Sequence, residues 1–453
     1  MNRKPSANAQ AAKISPARSA AFEVLIRVGQ GTAHSDDLLH TPRVNALSIE
    51  DRNLTTALVM GVLRWQIALD ARLAKLLSRS DQRLAEPVAL ALRLGAFQLL
   101  HMDRIPAHAA INESVELCRA AEQPHAAGMV NAILRGTARE MEAAKKRGPE
   151  AALRATPLFE STAAIAERLG HPVWLVERWV ANYGRAAAVA ICNYDQREPD
   201  AGGLFPAGAE GLPQIDDGSR LVAELAAVAS CSSKDDATRV WDCCAAPGGK
   251  TLVLAERLPK AQILATDISA KRLARMTDQV RRSAHADRIR CEVMDAAAPM
   301  STSPTTSVQD GNGPFDLILC DAPCSGTGTL ARNPEIRHRL RPEELSRQVV
   351  RQVAILRGAL SRLALSGRLL YSTCSLEPEE NEQVVETVLR ELAGAIRPVP
   401  VDPLIESMAE GGILQPEVAA IRKKTAVRSG HLRTLPGVHA CDGFFAALLE
   451  RAN

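Results

Sequence analysis

The feature that most constrains the fold is a series of short apolar segments, alternating with helical ones, that begins near Thr238. The apolar segments are RVWDCCA, QILATDI, IRCEVMDA, FDLILCDAP, RLLYSTCS and GFFAALLE. Regular alternation of strand and helix patterns is typical of a parallel, doubly wound sheet with helices on both faces. We therefore predict an α/β domain over residues 236–453.

The first part of the chain has a different pattern. Apolar residues recur at helical spacing, for example at Leu54, Leu58 and Val62, and strand-like alternation is absent. Prolines occur where helices would begin or end, at Pro42, Pro87, Pro106 and Pro124. These patterns predict an all-helical domain over residues 15–146, preceded by a disordered lead over residues 1–14.

The region between the two predicted domains lacks a clear period. The segment Glu140–Pro157 is charged and then interrupted by Gly148-Pro149, which is typical of a linker. Residues 198–217 are rich in glycine, proline and alanine. We therefore interpret residues 147–235 as a linker and a reduced middle region.

Length and composition limit the possible functions. A chain of 453 residues can hold about three domains. The formal net charge is only +3, so a surface that binds nucleic acid would have to be local. The N-terminus has no apolar signal region, and no segment approaches the roughly 18 apolar residues of a membrane span. A soluble, cytoplasmic protein without a membrane partner is expected.

The ten cysteines carry information through their spacing. They are scattered along the chain, with no CxxC pair and no zinc-finger spacing. Free thiols in a reducing compartment are therefore expected, and no metal site.

A glycine-containing turn follows the first apolar segment, in the motif DCCAAPGGKT. Glycines let the backbone approach a ligand closely, and a helix N-terminus offers free N–H groups. Asp267 ends the next predicted strand and suits a ribose hydroxyl pair, whereas Asp295 ends the third and could bind an adenine amino group. The alternative is a packing turn without a ligand, and a lysine at a helix start, such as Lys250, is often only solvated.

Two thiols and a carboxylate follow the next two predicted strands. Asp321 and Cys324 come after FDLILC, and Cys374 comes after RLLYST. Because ligands in open α/β sheets bind at the carboxyl ends of strands, we expect these side chains to lie at one edge of the sheet. The residues alone leave a nucleophile, a redox pair or a metal site open, although the missing CxxC disfavours a redox pair. An isolated Cys324 could also be a buried small hydrophobe.

The segments DCCAAPGGKT, DAPCSGTGTLARNPEIR, YSTCSLEPEENEQVV and DGFFAALLE resemble the Sun/Fmu-type RNA cytosine-C5 methyltransferases. The segments EDRNLTTALVMGVLRW, ALRLGAFQLL, RIPAHAAINESVEL and AGMVNAILRG resemble the helical NusB-type domain of the ribosomal RNA members. The resemblance implies a NusB-like RNA-binding domain, a Rossmann-like methyltransferase domain that uses S-adenosyl-L-methionine (SAM), and a cytosine of 16S rRNA, of the position-967 type, as the target. A monomer is expected.

The resemblance also implies roles for individual residues. Cys374 would attack C6 of the cytosine, because C5 becomes nucleophilic only after such an addition. Asp321 would hydrogen-bond or protonate N3, and Cys324 would help to remove the C5 proton. The implied SAM-binding residues are Cys244, Ala245, Ala246, Pro247, Gly248, Gly249, Lys250, Asp267, Asp295 and Asp321.

Two groups of basic residues are candidates for contacts with RNA phosphates. The first group is Arg332, Arg337, Arg339, Arg341, Arg347 and Arg351, and the second is Lys423, Lys424, Arg428 and Arg433. Solvated helix faces are the alternative for any single arginine, because Glu335, Glu343 and Glu344 are interleaved with them.

The sequence departs from the family pattern in two places. About twenty residues separate Asp195 from the segment Ile215–Ser219, which is too short for the small RNA-contacting domain that relatives carry there. A Ser/Thr/Gly/Pro insert, residues 299–314, is expected to be a floppy surface loop. The first departure puts the way in which RNA is positioned in doubt.

Three other functions remain open on the sequence. The same chemistry could act on tRNA, 23S rRNA or DNA. The chain could also be a non-catalytic NusB-like RNA-binding factor, although intact Asp321, Cys324 and Cys374 argue against loss of activity. A nucleotide-dependent oxidoreductase would leave both motif cysteines unexplained.

Overall fold

The computed structural model describes residues 14–31, 33–77, 83–155, 160–199, 203–206, 212–230, 238–298, 314–415 and 427–452, with side chains omitted for 147–155. The chain divides into two compact units. The first comprises residues 1–196 together with 333–339, and the second comprises 197–332 together with 340–453. The disordered lead predicted for residues 1–14 and the insert at 299–314 lie almost wholly outside the described residues.

The first unit is built from helices, as the apolar spacing predicts. Its helices are α1 (Pro16–Gly29), α2 (Ser35–Leu39), α3 (Pro42–Asn45), α4 (Ile49–Ala74), α5 (Glu86–His101), α6 (Ala107–Ala120), α7 (Ala127–Ala155), α8 (Thr162–Arg168), α9 (Val173–Tyr183), α10 (Arg185–Asp195) and, from the later segment, α14 (Ile336–Arg339). Leu58 and Val62 of α4 and Leu94 of α5 are fully buried in its core. The 3.6-residue period of α4 and α5 therefore places one apolar stripe of each helix inside the unit.

Local signals explain where several of these helices begin. Ser48 caps α4, since its hydroxyl accepts a hydrogen bond from the backbone N–H of Asp51 at 3.1 Å. Pro42 occupies the first turn of α3, and Pro106 directly precedes α6. Helix α7 continues through Gly148-Pro149 to Ala155, so the segment interpreted as a linker is helical for most of its length.

The short segment that contains α14 belongs to the first unit and is held there by Arg337. The Arg337 side chain is buried, and its guanidinium donates to the carbonyl oxygens of Arg64 and Gly170, each at 3.0 Å, and of Asp195 at 3.4 Å. The prediction that Arg337 contacts RNA phosphates is therefore wrong, because burial removes the guanidinium from solvent and backbone carbonyls occupy its donors. Its neighbour His338 lies 2.7 Å, at Nε2, from the carbonyl oxygen of Leu63.

The described residues of the second unit form one sheet of nine strands in the order β3-β2-β1-β4-β5-β9-β8-β7, with β6 also paired to β9. The strands are β1 (Arg239–Asp242), β2 (Gln262–Asp267), β3 (Ile289–Val293), β4 (Phe315–Asp321), β5 (Leu363–Thr373), β6 (Ile396–Val399), β7 (Val427–Arg428), β8 (His431–Arg433) and β9 (Phe445–Arg451). Strands β1 to β5 are parallel, whereas β9 is antiparallel to β5. The prediction of a parallel sheet is therefore corrected: the sheet is mixed. A strand that is buried on both faces has a continuous apolar pattern whatever its direction, so the sequence did not reveal this reversal.

Helices cover both faces of this sheet. They are α11 (Asp217–Val228), α12 (Gly249–Arg257), α13 (Ala270–Arg281), α15 (Pro342–Leu360), α16 (Glu382–Glu391) and α17 (Asp402–Glu410). Two apolar cores result, one containing Leu317 and Leu319 and the other containing Trp241 and Ile318. Because strands β1, β2, β4 and β5 are parallel, their carboxyl ends lie at one edge of the sheet, where a ligand is expected.

Within the described residues, no helix combines the length and the apolar character that a membrane span requires.

Candidate active site

The loop after β1 depends on two glycines. Gly248 precedes α12 with a φ of +108°, and a Cβ at this position would lie 2.8 Å from Cγ of Met276. A Cβ on Gly249 would lie 2.4 Å from Cγ2 of Ile215. Both positions therefore require glycine, and the loop brings backbone N–H groups of the α12 N-terminus to the sheet edge.

A cavity of about 170 Å³ opens beside this loop. It is lined by Ile215, Asp216, Ser219, Asp242, Cys244, Ala245, Ala246, Pro247, Gly249, Lys250 and Asp321. The lining therefore includes most of the predicted cofactor residues. It also includes four residues that the sequence reasoning did not select as site residues, namely Ile215, Asp216, Ser219 and Asp242.

Asp242, at the end of β1, is the acid of this cavity with the most unusual environment. Its Oδ2 accepts a hydrogen bond from the Thr251 hydroxyl at 2.6 Å, and its Oδ1 is buried and has no hydrogen-bond partner among the described residues. Burial raises the pKa of Asp242 to about 7, against the lowering effect of the Thr251 hydrogen bond. A buried acceptor that lacks a donor points to a ligand that supplies one. The signal available in the sequence was its place as the first residue of the DCCAAPGGKT motif.

Lys250 and Asp321 form an ion pair at the same edge. The Nζ of Lys250 lies 2.6 Å from Oδ2 of Asp321, and the Ser372 hydroxyl donates to Oδ1 of Asp321 at 2.8 Å. Burial opposes the charge of Lys250, but Asp321 and Asp216 outweigh it and raise the pKa of Lys250 to about 12. Lys250 is therefore not a merely solvated side chain, and Asp321 is fixed by partners on α12 and β5.

The two motif cysteines, Cys324 and Cys374, are in contact with each other. Sγ of Cys324 lies 3.4 Å from Sγ of Cys374, and both side chains are partly exposed. The hydrogen bond to Cys374, burial and the charge of Glu380 raise the pKa of the Cys324 thiol well above its ordinary value. A backbone hydrogen bond joins the two loops, because the N–H of Gly328 donates to the carbonyl of Cys374 at 2.9 Å. The sheet edge therefore carries two adjacent thiols beside an ion-paired carboxylate.

Cys244 is a third thiol of this region. Its hydrogen bond with Cys243 and its burial raise its pKa well above the ordinary value, so this thiol stays protonated near neutral pH. A cofactor-lining role suits it better than a nucleophilic one.

The two acids assigned to a nucleoside lie further along the edge. Asp267 ends β2 and is buried, with Oδ1 accepting from the Ser269 N–H at 2.8 Å and Oδ2 at 3.3 Å from Nη1 of Arg272. Asp295 lies two residues beyond β3 and is exposed. Between them in sequence, Ile268 exposes 54% of its apolar side chain. An apolar side chain next to a strand-ending acid offers a face for a base, and the sequence reasoning missed it.

Several of the predicted phosphate-binding cations are engaged elsewhere. Arg332 pairs with Asp442 at 2.8 Å, Arg347 with Glu344 at 2.6 Å, and Arg433 with Glu382 at 2.5 Å. Arg339 donates to the carbonyl oxygens of Val28 and Ala33.

Arg339 and the buried Arg433 are therefore not free cations of an RNA surface, and the prediction fails for both. Arg341 and Arg351 are exposed, whereas Lys423 and Lys424 lie outside the described residues.

No trio of histidine, cysteine, aspartate or glutamate side chains arranged for a metal ion occurs among the described residues.

The parallel sheet with a glycine turn, strand-end acids and a lined cavity defines a SAM-dependent methyltransferase. The sequence model of the 16S rRNA methyltransferase RsmB/F family matches residues 230–450, and that of the NusB family matches residues 15–139. The chain belongs to the RsmB/F family and carries a NusB-family domain in front of the methyltransferase domain.

Similar proteins span nearly the whole chain. The ribosomal RNA small subunit methyltransferase B of Xanthomonas campestris is 34% identical, with 89% of this chain and 90% of the relative covered. The protein of the same name from Pseudomonas putida is 32% identical, with 95% and 98% covered. The crystal structure of PH0851 has a TM-score of 0.67 at 20% identity and covers 98% of this chain and all of that one, which shows a shared fold.

SAM is the cofactor of this family, and the cavity suits its amino-acid end. The unpaired Oδ1 of Asp242 could accept from the ammonium group, and the N-terminus of α12 offers N–H donors to the carboxylate. A cavity of about 170 Å³ holds an amino-acid moiety but not a nucleoside as well. The nucleoside would then extend toward Asp267, Ile268 and Asp295.

Proposed function

We propose that the protein methylates C5 of a cytosine in 16S rRNA through a covalent adduct between Cys374 and C6. The observation that carries the proposal is the 3.4 Å separation of the Cys324 and Cys374 sulfurs, at the sheet edge that also holds Asp321, a residue of the cavity lining. Cytosine C5 is a weak nucleophile, and a thiolate added at C6 converts it into an enamine-like carbon. A single thiol could add, but a second group is needed to complete the reaction.

Cys374 is the proposed nucleophile. Its thiolate forms the S–C6 bond, and the electron pair of the C5–C6 double bond moves to C5. SAM, when bound, supplies the methyl group that C5 takes. Lys250 is near enough for Cys374 to act on its charge, so a cation lies beside the proposed nucleophile.

Asp321 stabilises the ring while it carries the added charge. Its carboxyl group is held by Lys250 and Ser372. Because a carboxylate and the unprotonated N3 are both acceptors, Asp321 stabilises the ring by sharing with N3 one proton, which is taken up from solvent on addition and returned to it on release. A preorganised group of this kind lowers the barrier because it costs no reorganisation during the reaction. The base must leave any stack to reach these residues.

Cys324 completes the reaction. Once Cys374 is bonded to C6, it no longer raises the pKa of Cys324, so Cys324 loses its proton to solvent and, as a thiolate, accepts the proton from C5. The C–H electron pair restores the C5–C6 double bond, and the S–C6 bond breaks to release the Cys374 thiolate. The adjacent sulfurs let the two thiols act on neighbouring carbons of one ring. Their roles are therefore divided between addition and release.

The 16S rRNA substrate is proposed from the relatives. The similar proteins of X. campestris and P. putida carry the name ribosomal RNA small subunit methyltransferase B, and the NusB-family domain suits an RNA partner. We propose a cytosine of the position-967 type as the target, in the cytoplasm and with a monomeric enzyme.

A trapping experiment tests the chemistry. With SAM and 16S rRNA that contains 5-fluorocytidine, the wild-type protein should form a covalent adduct that survives denaturing electrophoresis, because fluorine cannot leave as a proton does. Cys374→Ser should form none. Cys324→Ala should remain bound to ordinary 16S rRNA, because it adds but does not release. An adduct of wild-type yield in Cys374→Ser would overturn the assignment of the nucleophile.

The same chemistry on another RNA is the second candidate, because the middle region is short. Bisulfite mapping of 16S rRNA, 23S rRNA and tRNA from a deletion strain separates the two. Loss of one 16S rRNA methylcytosine supports the proposal, and loss of a tRNA or 23S rRNA site supports the alternative. An unchanged map in every RNA would favour a non-catalytic RNA-binding factor.

A further inference from the structure

A buried carboxylate lies behind the two thiols. Glu380 is fully buried and lies two residues before the start of α16. Its Oε1 accepts from the backbone N–H of Ser325 at 2.8 Å and from Nε2 of Gln352 at 3.0 Å. Its Oε2 accepts from the hydroxyls of Ser325 and Ser375, the latter at 2.5 Å. One carboxylate therefore binds the residue that follows each of the two thiols.

The backbone around Glu380 is fixed as well. Tyr371 donates from its hydroxyl to the carbonyl of Glu380 at 2.7 Å, and Gln352 donates to the carbonyl of Pro323 at 3.0 Å. The side chain of Asn381 donates to the carbonyl of Ser375 at 2.9 Å. Both thiol-bearing loops are thus attached to the same short segment between β5 and α16.

The donors to this carboxylate are neutral. Within the described residues they are two serine hydroxyls, an amide group and a backbone N–H, with no cation among them. Neutral hydrogen bonds stabilise a buried anion, but they do not cancel its charge. The Cys374 thiol and burial are the larger causes that raise the pKa of the Cys324 thiol, and the charge of Glu380 adds to them. The N–H of Gly326 acts in the opposite direction.

The charge near Cys374 has the opposite sign. Lys250 lies among Asp321, Asp216 and Cys374, and its ammonium is retained to a high pH. The two-thiol site is therefore placed between a cation, supplied by α12, and a buried anion, supplied by the segment before α16. A thiol between such charges does not ionise independently of its neighbour.

We propose that Glu380 is the positioning residue of the two-thiol site: it holds the Cys324 and Cys374 loops together and places a buried negative charge next to Cys324. The proposal rests on the proposed function for its catalytic meaning. Its consequence is that nucleophile and release group are distinguished by the protein before any RNA binds.

Two substitutions separate the charge of Glu380 from its length. Glu380→Gln keeps the length and removes the charge, whereas Glu380→Asp keeps the charge and cannot reach both serines. The full-length protein, without RNA or SAM, is treated with iodoacetamide at a series of pH values, and peptide mass spectrometry follows the alkylation of Cys324 and Cys374. Glu382→Gln, on the same segment and paired with Arg433, is the matched control.

The charge model predicts that Glu380→Gln alkylates Cys324 at a lower pH than the wild type does, which is measured as a several-fold faster reaction at fixed pH. Glu380→Asp and Glu382→Gln should retain the wild-type profile of Cys324. If Glu380→Gln matches the wild type while Glu380→Asp departs from it, Glu380 is only a structural connection and the proposal is overturned.

If Glu380→Gln does not fold, as judged by circular dichroism, Glu380→Asp decides alone. An unchanged Cys324 profile supports the proposal, and a shift to lower pH overturns it. The readout needs neither substrate nor turnover. Failure of the 5-fluorocytidine adduct in the wild type would therefore count against the proposed function and leave the result on Glu380 standing.

Discussion

Asp242 shows how much the chemistry of one side chain depends on what surrounds it. Its carboxylate is buried, one oxygen accepts from Thr251, and the other has no partner in the part of the chain that the structure describes. Its pKa is raised to about 7, chiefly by burial. Below that pH the group is mostly neutral in the free protein, and above it the group is an anion. A ligand with a positive ammonium should prefer the ionised form.

We expect the affinity for SAM to rise with pH up to about 7, by as much as tenfold per unit, and then to flatten. The test is isothermal titration calorimetry with SAM between about pH 6 and 7.5, below the range where the α-amino group itself loses its proton. Asp242→Asn should bind weakly and remove the slope, and Asp278→Asn, an exposed acid of α13, should not. If the affinity for SAM still rises with pH in Asp242→Asn, another group causes the pH dependence.

Sequence reasoning found the residues whose position follows from a strand end. Asp321, Cys324 and Cys374 were expected at one edge because parallel strands end together, and the structure places them there. Their catalytic roles remain proposals. Glu380 was not found, because the run PEENE contains several acids and nothing in the sequence indicates which one is buried.

Helix α14, which carries Arg337, is an element whose surroundings the sequence did not predict. Helix α14 has only four residues, and the sequence around it is that of a basic, solvated segment. The structure instead buries Arg337, with three backbone carbonyls as acceptors. Those carbonyls belong to α4 and to the ends of α8 and α10, which are distant in sequence. No local pattern could therefore have revealed the contact.

Removing this guanidinium should destabilise the first unit. Arg337→Met keeps much of the volume but leaves buried carbonyls without donors, at an expected cost of about 2–4 kcal/mol. Thermal unfolding followed by circular dichroism measures the loss. Arg347→Met is the matched control, because Arg347 is exposed and pairs only with a neighbour one turn away on α15, so a change below about 0.5 kcal/mol is expected. Equal effects of the two substitutions would contradict the buried role.

In the second unit, the positions of the strands and helices were predicted better than the directions of the strands. Five parallel strands and the helices between them followed from the alternation of patterns, whereas β6, β7 and β8 are short and carry little apolar signal. The reversal of β9 depends on its antiparallel pairing with β5, β6 and β8. Pairing is a tertiary property, and a single sequence does not specify it.

At the scale of the whole molecule, the first unit is discontinuous in sequence. It takes residues 333–339 from a position far beyond the NusB-family match at 15–139. A fragment that ends at residue 199 would therefore lack Arg337, Glu335 and His338. Ser35 would also lose the hydrogen bonds that its N–H and hydroxyl donate to Glu335, at 3.2 and 3.0 Å.

We expect the fragment of residues 14–199 to exchange amide hydrogens faster than the same helices in the intact chain, above all near Ser35, Arg64 and Gly170. Hydrogen exchange followed by mass spectrometry measures this. The start of α6, away from residues 333–339, is an internal reference. Protection that is identical in the fragment and the intact chain would show that the segment adds no stability.

This discontinuity also matters for how such proteins can be recombined. The order of the family matches alone would make the helical unit a separable N-terminal domain. Its boundary in the sequence is not its boundary in space, however, because residues 333–339 also belong to it. A chimera that exchanges residues 1–196 between relatives would inherit a foreign seven-residue segment at 333–339. Graft design, and any account of how the two modules came to be fused, must move both pieces together.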